Sequence, residues 1–489
     1  MSKKIVVIGS GFSGLAAAAC LAQAGFDVTV LEKNAVAGGR ARKFEAAGFT
    51  FDMGPSWYWM PEVFEDFFGR FGKKASDYYD LMRLDPSYIV HFNEGEAMQV
   101  PAGVDALAAM FERYEAGAGQ KLRTFLAEAA YKYETGMTDF VFRPGHSIME
   151  FADWRVLTSL FKLHIFTSVS KQVHTLFKHP HLRELLEFPS LFLGARPADT
   201  PALYTLMNYA DMSLGTWYPM GGMYEIVGAM VATAVEQGAN IRLNETVESI
   251  TVEDGKAVAV VTQNGTYAAD FVVAGADYHH VEQQILEPQY RQYTEKYWQS
   301  RTMAPSSLLF YLGVGKRLSG LAHHNLFFDA DFDQHAADIY TKPAWPQKPL
   351  FYVCCPSKTD PSVAPVDSEN LFVLIPLAPG LEDSEALREA YYHLVLERLE
   401  RRTGQQIRDS VVYKRSFAMT DFEQDYNAFR GNAYGLANTL RQTAFLKPKM
   451  RSNKISNLFY TGQLTVPGPG VPPSLISGQV VAAEIKKLV

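Results

Sequence analysis

The residues of this chain best suited to chemistry lie near its start, in Gly9-Ser10-Gly11-Phe12-Ser13-Gly14. A G-x-G-x-x-G run of this kind allows a tight turn and lets backbone approach a pyrophosphate. It also lets a helix pack on its strand with the helix N-terminus facing the phosphates. The apolar run Ile5 to Ile8 before it and the Ala-rich stretch Leu15 to Ala24 after it predict that strand and helix. Gly25 stops the helix, and Val28, Val30 and Leu31 form a second strand ending at Glu32. An acid at that distance accepts hydrogen bonds from a ribose, which turns a weak hexapeptide into a dinucleotide signature. A nucleophile elbow is excluded, because Gly11-Phe12-Ser13 is not completed by glycine at position 15, which is Leu.

A second glycine pair, Val36-Ala37-Gly38-Gly39-Arg40, follows within a few residues, and near the C-terminus a Gly/Pro-rich loop (Gly462 to Pro473) separates a strand from a closing helix. Stiff loops before a helix with free N–H groups are further places for a cofactor to lie. The closing helix is expected from Ser474, with Leu475, Ile476, Val480, Ile485 and Leu488 inward and Lys486 and Lys487 at its negative end.

The intervening chain alternates in character. Short strands are predicted from Leu81 to Val100, a helical stretch from about 104 to 216, and a β-meander from Asn244 to Ala276. The meander's turns are placed at Asp254-Gly255 and Asn264-Gly265. Further strands are expected at Leu308 to Leu312, Leu371 to Pro376 and Leu458 to Thr461. No repeat or low-complexity linker separates these stretches, so the domains must interleave.

Bulk properties bound the function. The 489 residues leave room for two or three domains, and a net charge of −7 with no polybasic run argues against nucleic-acid binding. Three cysteines (Cys20, Cys354, Cys355) make no disulfide framework, which suits a reducing cytoplasm. The apolar Ile5 to Ala24 run imitates a secretory signal, but its glycines sit where a strand–turn–helix needs them. No apolar run is long enough to cross a bilayer. Aromatics make up 13% of the chain, which fits a large apolar pocket or surface and equally well an aromatic core. The pairs His279-His280 and His323-His324 are expected to point to opposite sides of a strand or loop, without metal-ligand spacing.

Gly38-Gly39-Arg40 followed by Gly48-Phe49-Thr50-Phe51-Asp52-Met53-Gly54-Pro55 resembles the second signature of the flavin-containing amine oxidase, protoporphyrinogen oxidase and phytoene desaturase superfamily. Tyr460 to Pro473 resembles the third FAD motif as bacterial-type carotenoid desaturases carry it, although Leu464-Thr465-Val466-Pro467-Gly468 departs from the commoner Gly-Thr-His-Pro-Gly wording. Trp217 to Met223 is also similar to that family, so the likeness spans essentially the whole chain.

The resemblance implies FAD, and an α/β fold in three interleaved parts. These are a Rossmann-like FAD-binding domain (1–80, 217–295, 441–489), a mixed-sheet substrate domain (81–120, 296–440) and a helical, membrane-facing insert (121–216). It implies cofactor contacts from Gly9, Gly11, Phe12, Ser13, Gly14, Glu32, Lys33, Gly38, Gly39, Arg40, Gly54, Pro55, Val247, Gly462, Gln463, Gly470, Val471 and Pro472, and no metal. The implied reaction introduces double bonds into the lipophilic polyene phytoene to give lycopene. Oxygen or a quinone is the implied acceptor, and the protein is peripheral on the inner face of the cell membrane.

Competing readings are another carotenoid desaturase or isomerase, a flavin oxidase acting on an amine or porphyrinogen, and a non-enzymatic prenyl-protein carrier. The intact glycines and Glu32 speak against the last. No residue is assigned as catalytic; Asp139, Asp153, Asp211 and Arg143 lie in the helical insert, where a carboxylate or arginine facing a tunnel could assist, but a solvated surface or a salt bridge is the expected place of each. Phe151 to Arg183, with Trp154, Leu157, Leu160, Phe161, Phe166 and Phe177 beside Arg155, Lys162, Lys171 and Lys178, is expected to meet the headgroup layer.

Overall fold

The computed structural model describes residues 2–92, 95–147, 150, 167–439 and 441–489. Strand β1 (Lys4–Ile8) is buried from Ile5 onward, helix α1 (Phe12–Gln23) follows, and β2 (Asp27–Leu31) pairs parallel to β1 with Ile8 opposite Leu31. Three more parallel strands complete a five-stranded sheet in the order Leu458–Tyr460, Phe271–Ala274, β1, β2, Asn240–Arg242. This sheet thus gathers strands from three distant stretches of the chain. A second, seven-stranded sheet joins Tyr88–His91 and Ala97–Val100 to five strands between Ser306 and Phe417. Its pairs are antiparallel except the one between Tyr88–His91 and His324–Phe327. The chain therefore crosses repeatedly between two sheets, which places one against the other with the site between them.

Helix α1 is buried almost all round because small residues let it approach its neighbours' backbones. A Cβ on Gly478 of the closing helix would overlap the Ser13 carbonyl oxygen, so those two helices touch main chain to main chain. That closing helix runs Val471–Lys486, three residues earlier than the sequence predicts. Pro472 and Pro473 occupy its first turn, where the missing N–H has no helical partner to lose. Leu475, Ile476, Val480 and Ile485 are buried, but Leu488 lies past the helix and is 47% exposed, a correction to its expected inward position.

The meander is shorter than expected. Val247–Glu253, Lys256–Thr262 and Gly265–Ala268 form a three-stranded antiparallel sheet, whereas Phe271–Ala274 leaves it for the parallel sheet. Asp254 and Gly255 both take positive φ at the first turn. In the second, Thr262 pairs with Gly265, so the turn residues are Gln263 and Asn264.

The helical region comprises Val104–Tyr114, Ala118–Asp139, Val169–Leu176 and Pro180–Glu187, with shorter turns to Leu214. Phe177 is fully buried against Phe111 and Phe125, so it packs the interior and does not face a membrane. Asp153, Trp154, Arg155, Leu157, Leu160, Phe161, Lys162 and Phe166 lie outside the described residues. Among the described residues no helix is long and apolar enough to cross a membrane.

Asp211, at the end of this region, is buried beneath Tyr88, whose hydroxyl donates to it at 2.6 Å, and Thr216, which donates at 3.1 Å. Burial outweighs those bonds and pushes its carboxyl up to about 7. A raised carboxyl favours the protonated folded state, so this contribution to stability is complete below about pH 4 and is lost as pH rises through about 7. Asp211→Asn should therefore melt higher than the parent at pH 8, by a difference on the order of a few kcal/mol that shrinks to nothing near pH 4. Thermal unfolding at both values checks this; an equal difference at both would refute it.

Candidate functional site

A cavity of about 510 Å³ lies between the two sheets, and every residue of the expected cofactor set lines it except Gly14. Gly14 serves the turn itself, since a Cβ there would overlap the Gly9 carbonyl oxygen. Gly9, at φ +93°, is the turn's left-handed position. Gly11 caps α1 with no side-chain partner, and a Cβ on it would enter open space, so the first-turn N–H groups and the cavity meet there. The second glycine pair lies directly over the first: a Cβ on Gly39 would sit 3.4 Å from the Gly11 Cα, and Gly38 N–H donates to the Ser10 carbonyl at 2.9 Å. Together they form a backbone cradle with no side chains in it.

Glu32 reaches this cradle almost fully buried. One carboxylate oxygen accepts from the Ser10 N–H and hydroxyl at 2.9 and 2.8 Å, and the other from the Asn34 backbone and side-chain amides at 2.9 Å. The acid thus shapes the turn while presenting to the cavity. Lys33 donates to the Gln424 carbonyl at 2.8 Å, and burial lowers its pKa. Arg40 is half-buried with its Nε enclosed and unpaired; its guanidinium carbon lies 5.3 Å from the Tyr426 ring centre, and the nearby Asp277 carboxylate opposes the loss of its charge. One Asp277 oxygen is likewise unpaired. Orphaned polar atoms in a buried site cost about 1–3 kcal/mol each unless something fills the space.

The Gly48 to Pro55 motif is tied to the Trp217 to Met223 segment. Asp52 accepts from the Met223 and Tyr224 amides at 2.7 and 3.0 Å and so holds the start of helix Tyr224–Glu236; burial pushes it up to about 6. Gly54 lies so close to Arg40 that a Cβ would overlap the Arg40 carbonyl. From the C-terminal loop, Gly462 faces the Ser13 hydroxyl and donates to Ser477 Oγ at 3.0 Å. Gly470 enters the closing helix at φ +111°. Gly468 does not line the cavity, although Pro467 and Pro469 do.

Gly470→Val should place a β-branched side chain at a left-handed φ and 3.2 Å from Pro473 Cδ, a strain of about 2 kcal/mol or more. The variant is expected to lose bound flavin while keeping its far-ultraviolet circular dichroism. Full flavin content would remove this loop from the site.

Beyond the cradle the same cavity continues as an apolar arm. Residues from 53–60, 133–141 and 193–207, with Ser307, Leu309, Tyr352, Phe372 and Leu374 of the seven-stranded sheet, line it without one charged side chain. Trp57, Trp59, Tyr133, Met137, Tyr204 and Met207 are the large members, and none was singled out from sequence. Trp57 and Trp59 at alternate positions after Pro55 were the available signal; the rest are scattered over the chain. Asp139, Asp211 and Arg143 are absent from the wall.

His279 pairs with Glu295 at 2.9 Å and His280 lines the cavity, burial pulling it down to about 4. His323 and His324 do not point to opposite sides as expected, since their ring centres are 4.5 Å apart. His323 sits in the bend before the strand begins at His324, where alternation does not apply.

Residues 12–486 match the family model described as flavin containing amine oxidoreductase. The chain is 44% identical over 482 residues to the carotenoid 3,4-desaturase of Haloarcula japonica, covering 98% of this chain and 97% of that one. It is 32% identical over 494 residues to the zeta-carotene-forming phytoene desaturase of Myxococcus xanthus, covering 99% and 94%. Among solved structures, cyclohexylamine oxidase from Brevibacterium oxydans aligns with a TM-score of 0.61 at 15% identity, over 100% of this chain and 99% of that one. That last likeness is one of fold.

Proposed function

Because the chain belongs to the flavin-containing amine oxidoreductase family, we propose that it is a carotenoid desaturase, removing a hydride and a neighbouring proton from a CH–CH unit of a long polyene. It is an FAD-dependent oxidoreductase acting on CH–CH groups. When bound, FAD supplies the two-electron acceptor for the hydride. The cradle of Gly9, Gly11, Gly38 and Gly39 suits its pyrophosphate, Glu32 its ribose, and the unpaired Arg40 Nε and Asp277 oxygen its polar edges.

The observation that carries the substrate reading is the uncharged arm. An ammonium substrate buried there would call for a carboxylate, and none lines the arm, whose polar atoms are neutral ones such as the Ser307 and Tyr352 hydroxyls. A hydrocarbon needs only apolar walls, and the rings of Trp57, Trp59 and Tyr352 add cation–π support for transient positive charge. The expected conversion is phytoene to lycopene. The 44% likeness to a 3,4-desaturase favours a second conversion, desaturation close to the end of an already extended polyene. Incubating the purified protein with phytoene and with lycopene in liposomes, and separating the products, decides between them; no new double bond in either would refute desaturation.

The substrate's insolubility supports peripheral attachment to the cytoplasmic face of a membrane, with oxygen or a quinone there taking the electrons. Lys171 and Lys178, within the Phe151 to Arg183 stretch expected to meet lipid, are exposed. At about 1 kcal/mol each against anionic lipid, changing both to Glu should cut sedimentation with anionic liposomes at least tenfold and leave flavin content unchanged. Undiminished sedimentation would move the contact elsewhere.

A further inference from the structure

His324 and Cys354 stand opposite each other in the antiparallel pair formed by His324–Phe327 and Phe351–Cys354. His323, in the preceding bend, folds its ring against that of His324. One ligand-capable atom from each of the three lies within 4.8 Å of the others, and all three residues are buried.

Their hydrogen bonds engage one nitrogen of each ring. Tyr352 donates its hydroxyl proton to Ser56 Oγ at 3.0 Å, so at 2.6 Å from His324 Nδ1 it accepts from that nitrogen. His323 Nδ1 is likewise engaged, 2.7 Å from Thr359 Oγ1. The Nε2 atoms of both rings are buried without a partner. An imidazole whose Nδ1–H donates to a hydroxyl presents its Nε2 lone pair outward, the form that coordinates metal; His324 is held so by Tyr352, and His323 takes the same form when its Nδ1–H donates to Thr359 Oγ1. Two unpartnered Nε2 atoms in one dry pocket are costly as a hydrogen-bonding arrangement, and with the Cys354 thiol, which Tyr352 also hydrogen-bonds, they make a matched ligand set.

We propose that His323, His324 and Cys354 form a buried three-ligand site for a single soft d10 cation, copper(I) in preference to zinc(II). Charge decides the preference. Binding breaks the Cys354 S–H bond, releases that proton to solvent and forms a metal–thiolate bond, with no change of oxidation state. A monovalent cation then leaves the pocket neutral, whereas a divalent one leaves a net positive charge among buried groups. Metal–ligand bonds of about 2.0–2.3 Å put ligand atoms roughly 3.5 Å apart, against the 4.8 Å within which one ligand-capable atom of each residue already lies. The site backs the apolar arm: Trp57 stacks on His324 at 4.2 Å, and Trp57 and Tyr352 both line the cavity. Its role is to fix that wall.

The test titrates the full-length, flavin-loaded protein, first stripped by a chelator, with copper(I) under anaerobic conditions against a chromogenic copper(I) chelator, and separately with zinc(II) against a zinc indicator. One equivalent of copper(I) is expected, bound at least tenfold more tightly than zinc(II). Cys354→Ser and His324→Gln should each weaken it by about tenfold or more. Cys355→Ser should not, because the Cys355 thiol is turned toward Ser357 and Glu369. X-ray absorption at the copper edge of the parent protein, which needs no variant, should show one sulfur and two nitrogen neighbours. Less than a tenth of an equivalent of copper(I), a preference for zinc(II), or undiminished binding in Cys354→Ser and His324→Gln would overturn the proposal.

Discussion

Gly136→Phe is expected to abolish turnover of a polyene while leaving FAD bound and the protein at least as stable as its parent. Gly136 lies inside helix Ala118–Asp139 and lines the arm beside Tyr133 and Met137. A Cβ built there meets only Leu206 Cδ2, at 3.9 Å, so the substitution fills empty cavity and removes no existing contact. Replacing a helical glycine also gains roughly 0.5 kcal/mol of helix propensity, which protects the fold. A phenyl ring projecting into the arm excludes a long rigid chain but stays remote in sequence from every element of the cradle. We expect at least a hundredfold fall in desaturation, unchanged flavin per chain and an unchanged or higher melting temperature. Normal turnover of phytoene or lycopene in this variant would show that the arm does not carry the substrate.

Glu32→Ala should strip the cofactor. A ribose hydroxyl bound to a carboxylate is worth about 1.5–3 kcal/mol, which converts to roughly a 10- to 150-fold weaker FAD affinity. The structure adds a second cost, because the Ser10 and Asn34 amides lose their acceptors together. Ser10→Ala separates the two effects. It removes one hydroxyl contact to Glu32 and keeps the acid in place, so it should retain flavin. Purification followed by flavin absorbance per chain measures both, and a fully flavinylated Glu32→Ala protein would refute the acid's role.

The cradle was legible in sequence because its requirements are local. Gly9 takes a positive φ and a Cβ on Gly14 would strike the Gly9 carbonyl, conditions set by the turn itself, and Glu32 follows them at a spacing fixed by one strand–helix–strand unit. Phe271–Ala274 shows where local reading stops: turn dipeptides assigned it to the meander, but its pairing with β1 depends on a partner some 260 residues away in sequence. The arm was illegible for the same reason. Tyr133, Tyr204, Tyr352 and Phe372 share no period and meet only because separate helices and strands converge. His323 was misread because strict alternation was assumed one residue before the strand begins. The closing helix start was displaced by Pro472 and Pro473, which look like loop residues yet suit a first helical turn.

The central claim, that this protein oxidises a CH–CH unit of a polyene, is tested most directly by anaerobic mixing of the flavin-loaded protein with liposomes. One set carries phytoene, another lycopene, and a third set is empty with a simple alkylamine added, all without a nicotinamide. The visible flavin band should bleach stoichiometrically with at least one polyene, with a matching gain of a double bond in the extracted lipid, and stay unchanged with the amine. Bleaching by the amine with both polyenes inert would contradict it.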